Sequence, residues 1–244
     1  MADEAPTDIA GQLAGAAREL AKPGTVQETL QLIVDLSVQI IPDADCAGIM
    51  VLQDTTIAAP AATDLRIAEL DALQAHLFEG PSLDAIREAA SVYSQDLAQE
   101  ARWPQFAPRA VERGMSSLLA YPLSRNDEVM GALNLYARRP SAFDEEDQDV
   151  GSLFAVHVAV ALGAAEAHAD DVTRALRLQE ALESRDLIGQ AKGILMERQN
   201  IDADHAFDIL RRASQRSNVK LRDVALLIVT RSPEGERGAL PGQP

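Results

Sequence analysis

From about Glu145 the apolar residues of this chain recur at steps of three and four, almost without interruption, until Asn200. That period belongs to a helix, so the spacing predicts a helical run through much of the second half of the chain. Leu153, Val156, Val160, Ala164, Ala167, Ala175, Leu178 and Leu182 form its seam, with one gap near Asp170-Asp171. A seam of this kind pairs helices in a coiled coil, here between two subunits. Its Ala-rich composition and the Asp pair leave a rival reading, in which the helix packs on its own domain.

Charge is unevenly placed along the chain. The 244 residues carry a net charge of -16 and a pI near 4.6, which argues against a protein that binds nucleic acid with its whole surface. Residues 1–174 hold 11 Lys and Arg against 28 Asp and Glu, a balance of -17. Residues 175–231 hold 10 against 8, a balance of +2, and the tail from 232 holds 1 against 2. An acidic body joined to a mildly basic end implies two jobs. The apolar fraction of 47% is enough for a core, and the length allows one medium domain plus a small one.

Cys46 is the one cysteine, which excludes an internal disulfide and a thiolate metal cluster. The four histidines, His76, His157, His168 and His205, form no ligand-spaced pair, so no metal is expected. The N-terminus MADEAPTDIAGQ is acidic and lacks the basic region and apolar run of a secretory signal. The most apolar run, Leu153 to Ala169, is interrupted by His157, Glu166 and His168 and reads as too short and polar to span a bilayer. The expectation is a cytoplasmic protein with no membrane partner.

In chain order, residues 6–21 read as a short amphipathic helix with Ile9, Leu13, Ala16 and Leu20 on one face. A helix this short is marginal alone, so its stripe is expected to pack elsewhere, a second subunit being one candidate. Thr25-Val26-Gln27-Glu28 has the form of a capping box and opens a helix to about Ile40, burying Leu30, Ile33, Val34 and Ile41. Cys46 to Leu52 is an apolar run of strand length, Asp54-Thr55 a turn, and Thr56 to Ala59 a second strand. Asp64 to Leu77 reads as a helix with Leu65, Ala68, Leu73 and Leu77 inward. Phe78 to Ala85 breaks that pattern, Ile86-Arg87 starts another short element, and Val92-Tyr93 is a short strand. Arg102-Trp103-Pro104 and Pro108 mark a loop, followed by a helix to about Arg113. Ser117 to Ser124 and Glu128 to Ala137 are strands joined by a turn at Arg125-Asn126-Asp127. Phe143-Asp-Glu-Glu-Asp then opens a helix with acid in its first turn, as the helix dipole favours.

This order predicts an α+β domain with an antiparallel sheet and helices packed against it. The Glu79-Gly-Pro-Ser-Leu-Asp-Ala85 segment, the Tyr121-Pro122-Leu123 strand ending, the Gly131-Ala-Leu-Asn-Leu-Tyr136 strand and Phe143-Asp-Glu-Glu-Asp resemble a GAF domain over roughly residues 20–165. Related actinobacterial-type domains often carry Cys where Ser82 stands, which puts thiol-based sensing there in doubt. The resemblance implies a sensor that binds an unidentified small molecule or pairs subunits, with no cofactor assigned. Glu79, Asp84, Tyr93 and Trp103 are the candidates for a pocket wall. The competing reading makes Asp84 a helix cap and Trp103 a filler beneath the loop.

The C-terminal stretch carries three further helical patterns. The first buries Leu187, Ile188, Ala191, Ile194 and Leu195, an arc of about 120°. Arg185, Gly189, Lys192, Met196 and Gln199 gather on the opposite side. Gly189 and Gly193 each cost roughly 1 kcal/mol against Ala in a helix interior, which implies close approach of another backbone, protein or nucleic acid. Asn200 is the stop. Asp202 caps a second helix whose core face is Ala206, Phe207, Leu210 and Ala213, and Ser217-Asn218 breaks it. A third helix starts near Lys220 and buries Leu221, Val224, Ala225, Ile228 and Val229. The segment after Arg231 reads as a disordered tail.

Ser184 to Met196, with Ala206-Phe207, Leu210-Arg211, Ser214-Gln215, Asn218 and Lys220 to Ala225, resembles the ANTAR family over about 50 residues. The resemblance implies a three-helix RNA-binding module at the end of a long pairing helix. Such modules act in transcription antitermination by binding paired stem-loops in nascent mRNA, which disfavours the terminator hairpin. The full organisation expected is an N-terminal helix at 1–22, a GAF-like sensor domain at 23–165, a connecting helix and ANTAR bundle at 166–231, and a tail at 232–244.

RNA contacts need cations for phosphate and amides or hydroxyls for base edges. Arg185, Lys192, Arg211, Lys220 and Arg222 supply the cations, with Lys192 the foremost. Gln190, Gln199, Ser214, Gln215 and Asn218 supply the polar groups, and Gly193 a close approach. Arg222 beside Asp223 and Arg211 near Asp208 have ion pairing as an alternative role. With Phe207 assigned to the core, no aromatic is left for base stacking, and recognition rests on charge, hydrogen bonds and shape. The leading expectation is an RNA-binding antiterminator acting as a homodimer under control of a ligand or partner protein. A protein-docking sensor without RNA binding is the alternative, and a DNA-binding helix-turn-helix a weaker third. An enzyme is not expected, because the chain has no Ser/His/Asp set, no carboxylate pair with a His or metal partner and no Walker loop.

Overall fold

The computed structural model describes residues 9–53 and 56–230. The Asp54-Thr55 turn, the start of the 6–21 helix and the tail after Arg231 lie outside them. The chain divides into two compact units, Met1–Ala169 and Asp170–Pro244.

Local chemistry starts the first unit. The α1 helix, Ile9–Leu20, buries Leu13, Ala16 and Leu20. It packs on α2, Val26–Ile40, of the same chain, so no second subunit is needed to cover the stripe. At the start of α2 the Thr25 hydroxyl accepts from the Glu28 amide at 3.2 Å, and the Glu28 carboxylate accepts from the Thr25 amide at 2.8 Å. This reciprocal pair satisfies two of the orphan donors of a helix start.

Strands β1 (Cys46–Gln53), β2 (Thr56–Ala62), β3 (Val92–Ser94), β4 (Ser117–Arg125) and β5 (Glu128–Ala137) form one sheet in the order β2-β1-β5-β4-β3. Every pairing is antiparallel. β2 runs three residues past the expected Ala59, and it tolerates Pro60 because it is an edge strand. Asn126 and Asp127, with φ of 51° and 64°, make the two-residue turn between β4 and β5.

Alternation along the central strands divides the interior. Ile49, Val51, Leu119, Tyr121, Leu133 and Leu135 join one core, with α1, α2 and the start of α6, Glu145–Gln199. Cys46, Leu118, Ala120 and Tyr136 join the other, with α3 (Leu65–Leu77), α4 (Pro81–Glu88) and α5 (Phe106–Glu112). Both faces of the sheet are covered, which is why β1 reads as one continuous apolar run.

Three elements depart from the expected pattern. In α3 the inward face is Ile67, Leu70, Asp71 and Gln74, while Leu65 is 84% exposed. The apolar pattern misled because two polar residues occupy interior positions. The Phe78 to Ala85 segment breaks α3 as expected, at the left-handed Phe78, but it also opens α4 ahead of Ile86: Gly80 at φ 140° precedes Pro81, which suits the first helical position. Pro108 likewise sits inside α5 and not in the loop before it.

The α6 helix buries Phe154, Ala155, Val158, Ala159 and Leu162 in its own unit. The rival packing is therefore real, yet it uses a different face from the seam. Leu153, Val156 and Val160 are exposed in the first unit, and Leu178 and Leu182 in the second. One 18-residue stretch of α6 has a mean hydropathy of 1.6, long and apolar enough by composition to cross a membrane, and 44% of it is buried within the chain.

In the second unit, α7 (Ala203–Ser217) and α8 (Leu221–Thr230) pack with α6 around Ala191, Leu195, Ala206, Leu210 and Ala225. Asp202 caps α7 by accepting from the amides of Asp204 and His205. Asn200 and Asn218 end their helices with left-handed φ of 53° and 52°.

Candidate nucleic-acid interface

The four pocket-wall candidates of the first unit are each held in contacts that tie the chain to itself. Glu79 accepts from the backbone amides of Gln105 and Phe106 at 2.6 and 2.9 Å, which caps the start of α5. Asp84 accepts from the Trp103 indole N–H at 2.7 Å, and Trp103 is buried with Arg102 stacked 4.3 Å from its ring centroid. The Tyr93 hydroxyl accepts from the Phe143 amide at 3.3 Å, and the two rings meet edge to face.

A buried polar cluster that the sequence reading passed over lies between α3, α4 and β5. Asp71 Oδ1 accepts from the Tyr136 hydroxyl at 2.5 Å, Asn134 Nδ2 at 2.9 Å and Gln74 Nε2 at 3.3 Å. The Ser82 hydroxyl donates to Asn134 Oδ1 at 2.7 Å, and the Ser82 amide donates to Gln74 Oε1 at 2.9 Å. Asp71 Oδ2 has no partner. It lies where a Cβ on Gly48 would stand, so β1 needs glycine at that point. Burial without a cation raises the Asp71 carboxyl to about 7, against the three hydrogen bonds that pull it down. The visible signal was Asp71 and Gln74 at helical spacing, three apart in an otherwise amphipathic helix.

Arg185, Gln190 and Lys192 come together around an open recess of about 500 Å³ on the second unit, with Asp186, Ile188, Gly189 and Phe207 completing its wall. Phe207 is not a core residue: it is 38% exposed, and the Lys192 ammonium stands 5.9 Å from its ring centroid. Gly189 and Gly193 face open space, with nothing within 4 Å of a Cβ built on either. Among the described residues none makes the close approach expected of them.

The remaining candidates lie outside this recess: Gly193 and Gln199 on α6, the others on α7, α8 and the turn between them. Arg211 pairs with Asp208 at 2.7 Å and Arg222 with Asp223 at 3.4 Å, as their alternative reading had it. The Ser214 hydroxyl donates to the Val219 carbonyl at 2.6 Å, and Asn218 is the left-handed cap of α7. These two close the turn between α7 and α8. Gln215 and Lys220 are exposed. Among the described residues no three His, Cys, Asp or Glu side chains gather as a metal site.

A GAF domain profile matches residues 24–163, more than half of the chain. The chain belongs to the GAF family. Its GAF domain is followed by an ANTAR domain, matched over residues 176–229. Comparison with curated protein sequences gives no match. Among solved structures, the GAF domain from a phosphoenolpyruvate-protein phosphotransferase of Coxiella burnetii is similar at a TM-score of 0.55 and 18% identity, over 66% of this chain and 96% of that one. The GAF domain of the Acinetobacter phosphoenolpyruvate-protein phosphotransferase gives 0.53 and 17%, over 65% and 94%. A free methionine-R-sulfoxide reductase from Neisseria meningitidis, in complex with its substrate, gives 0.52 and 12%, over 66% and 91%. At these identities the likeness is one of fold.

Proposed function

We propose that this GAF-ANTAR chain is a cytoplasmic transcription antitermination regulator that binds stem-loops in nascent mRNA as a homodimer, under control of its GAF domain. The observation that carries the reading is that Arg185, Gln190 and Lys192 line one open recess, inside the ANTAR match. Cations there neutralise phosphate, and the amide and the open glycines meet unpaired bases. The exposed stripe of Leu153, Val156, Val160, Leu178 and Leu182 supports pairing of two copies through α6. Two paired stem-loops held by such a dimer cannot refold into a terminator hairpin.

A gel shift of the full chain with an RNA of two hairpins in tandem tests this. Binding that weakens steeply with salt is expected, and Lys192→Glu should weaken it at least about a hundredfold, because it reverses a charge at the contact. Equal binding by Lys192→Glu would refute the site. Duplex DNA of the same length outcompeting the hairpins would favour a helix-turn-helix reading.

A protein-docking role without RNA is supported by one observation: Leu226 and Leu227 are about half exposed on α8. That reading predicts no shift with any RNA. A thiol-based reductase, by contrast, needs an accessible, ionisable cysteine, and Cys46 is buried, with its thiol pushed up by desolvation.

A further inference from the structure

The recess on the second unit contains more than charge. Phe207 is its one aromatic, and it stays 38% exposed while Ala206 and Leu210, beside it on α7, are fully buried. An aromatic left this open in so small a module does little to complete the core. Lys192 covers the ring only loosely, since 5.9 Å is the outer limit of cation–π attraction. Moving that ammonium onto a phosphate therefore uncovers the ring at small cost.

Gly189 lines the same recess, and among the described residues no atom beyond its own helical turn comes near enough to require a glycine there. A mid-helix glycine costs about 1 kcal/mol against alanine. The space it leaves is open to a group from outside. Asp186 tells against a bare phosphate as that group, because its carboxylate lines the same wall. A flat ring with polar edges suits the lining better: Phe207 offers a face, Gln190 and Asp186 offer edge partners, and Arg185 and Lys192 stand ready for the flanking phosphates. The volume of about 500 Å³ is that of an ordinary small-molecule pocket.

We infer that this recess receives one unpaired nucleobase from an RNA loop, stacked on Phe207 and admitted by the missing side chain of Gly189. The inference rests on the RNA-binding reading above and adds to it a stacking contact. A base inside a stem has no free face to offer, so the recess selects loops over stems.

The test uses the full chain and tandem-hairpin RNAs in which each loop base in turn is replaced by 2-aminopurine, whose fluorescence falls when it stacks. One loop position should be quenched on binding. Phe207→Leu should remove that quenching and weaken binding about tenfold to a hundredfold, the range of one base–aromatic stack, with the salt dependence unchanged. Phe207→Tyr should keep both. Gly189→Leu fills the recess from a position where a Cβ meets no described residue beyond its own helical turn and should cause the same losses, which covers the case in which Phe207→Leu fails to fold. Full quenching and affinity in Gly189→Leu, or in a folded Phe207→Leu protein, overturns the inference. Salt-dependent binding that Lys192→Glu abolishes, with no loop position quenched, overturns it too but leaves RNA binding standing. No binding of any hairpin RNA by the wild-type chain overturns both.

Discussion

The two units use their polar residues in opposite ways. In the first, Asp71, Gln74, Ser82 and Asn134 turn inward, and all but one of the side-chain oxygens and amides of this cluster find each other. In the second, Arg185, Gln190 and Lys192 line a recess, beside Gly189 and Gly193, at which an added Cβ would meet no described residue outside its own helical turn. Groups committed to one another fix an interior. Groups and space left uncommitted mark a surface that another molecule completes.

The sharpest way to break this contrast is to titrate the interior. The Asp71 carboxyl is raised from 3.8 to about 7 in the folded chain, with desolvation the first cause. A raised folded-state value means that its contribution to stability is full below pH 3.8 and is lost as pH climbs through 7. Between those limits wild-type stability should fall by a few kcal/mol from this group. Asp71→Asn keeps an acceptor for Tyr136, Asn134 and Gln74 and should flatten that slope in chemical denaturation at pH 4 and pH 8. A wild-type slope retained in the variant would show that Asp71 is not the group that titrates.

Tyr136→Phe is the next smaller step. It deletes the shortest donor to Asp71 and the acceptor of the Gln74 amide at 3.1 Å. A loss of about 1–3 kcal/mol in unfolding free energy is expected, with RNA affinity unchanged. A change in RNA binding without a change in stability would dissolve the contrast between the two units.

Most of the fold was legible because its signals are local. The Thr25–Glu28 box, the Asn126-Asp127 turn and the three- and four-residue steps of α6 each involve neighbours in sequence. The inward turn of α3 was not legible, since Asp71 and Gln74 are buried by partners 62 to 65 residues away on β5. Phe207 was misread for a related reason. Helical phase puts it near the core face, but a core of five buried residues is too narrow to cover its ring. The cations of the interface were all visible in the sequence. Which of them are held by acids was not: Arg211 and Arg222 pair with acids three and one positions away, while Arg185 and Lys192 line the recess.

The smallest change gives the most direct test. Gly189→Ala adds one methyl group where no described residue beyond its own helical turn comes within 4 Å. If that space is held for RNA, thermal unfolding and RNA titration of the same variant should move in opposite directions: stability up by about 1 kcal/mol, hairpin affinity down several-fold. A variant that is more stable and binds hairpin RNA as tightly as the wild-type chain would contradict the account.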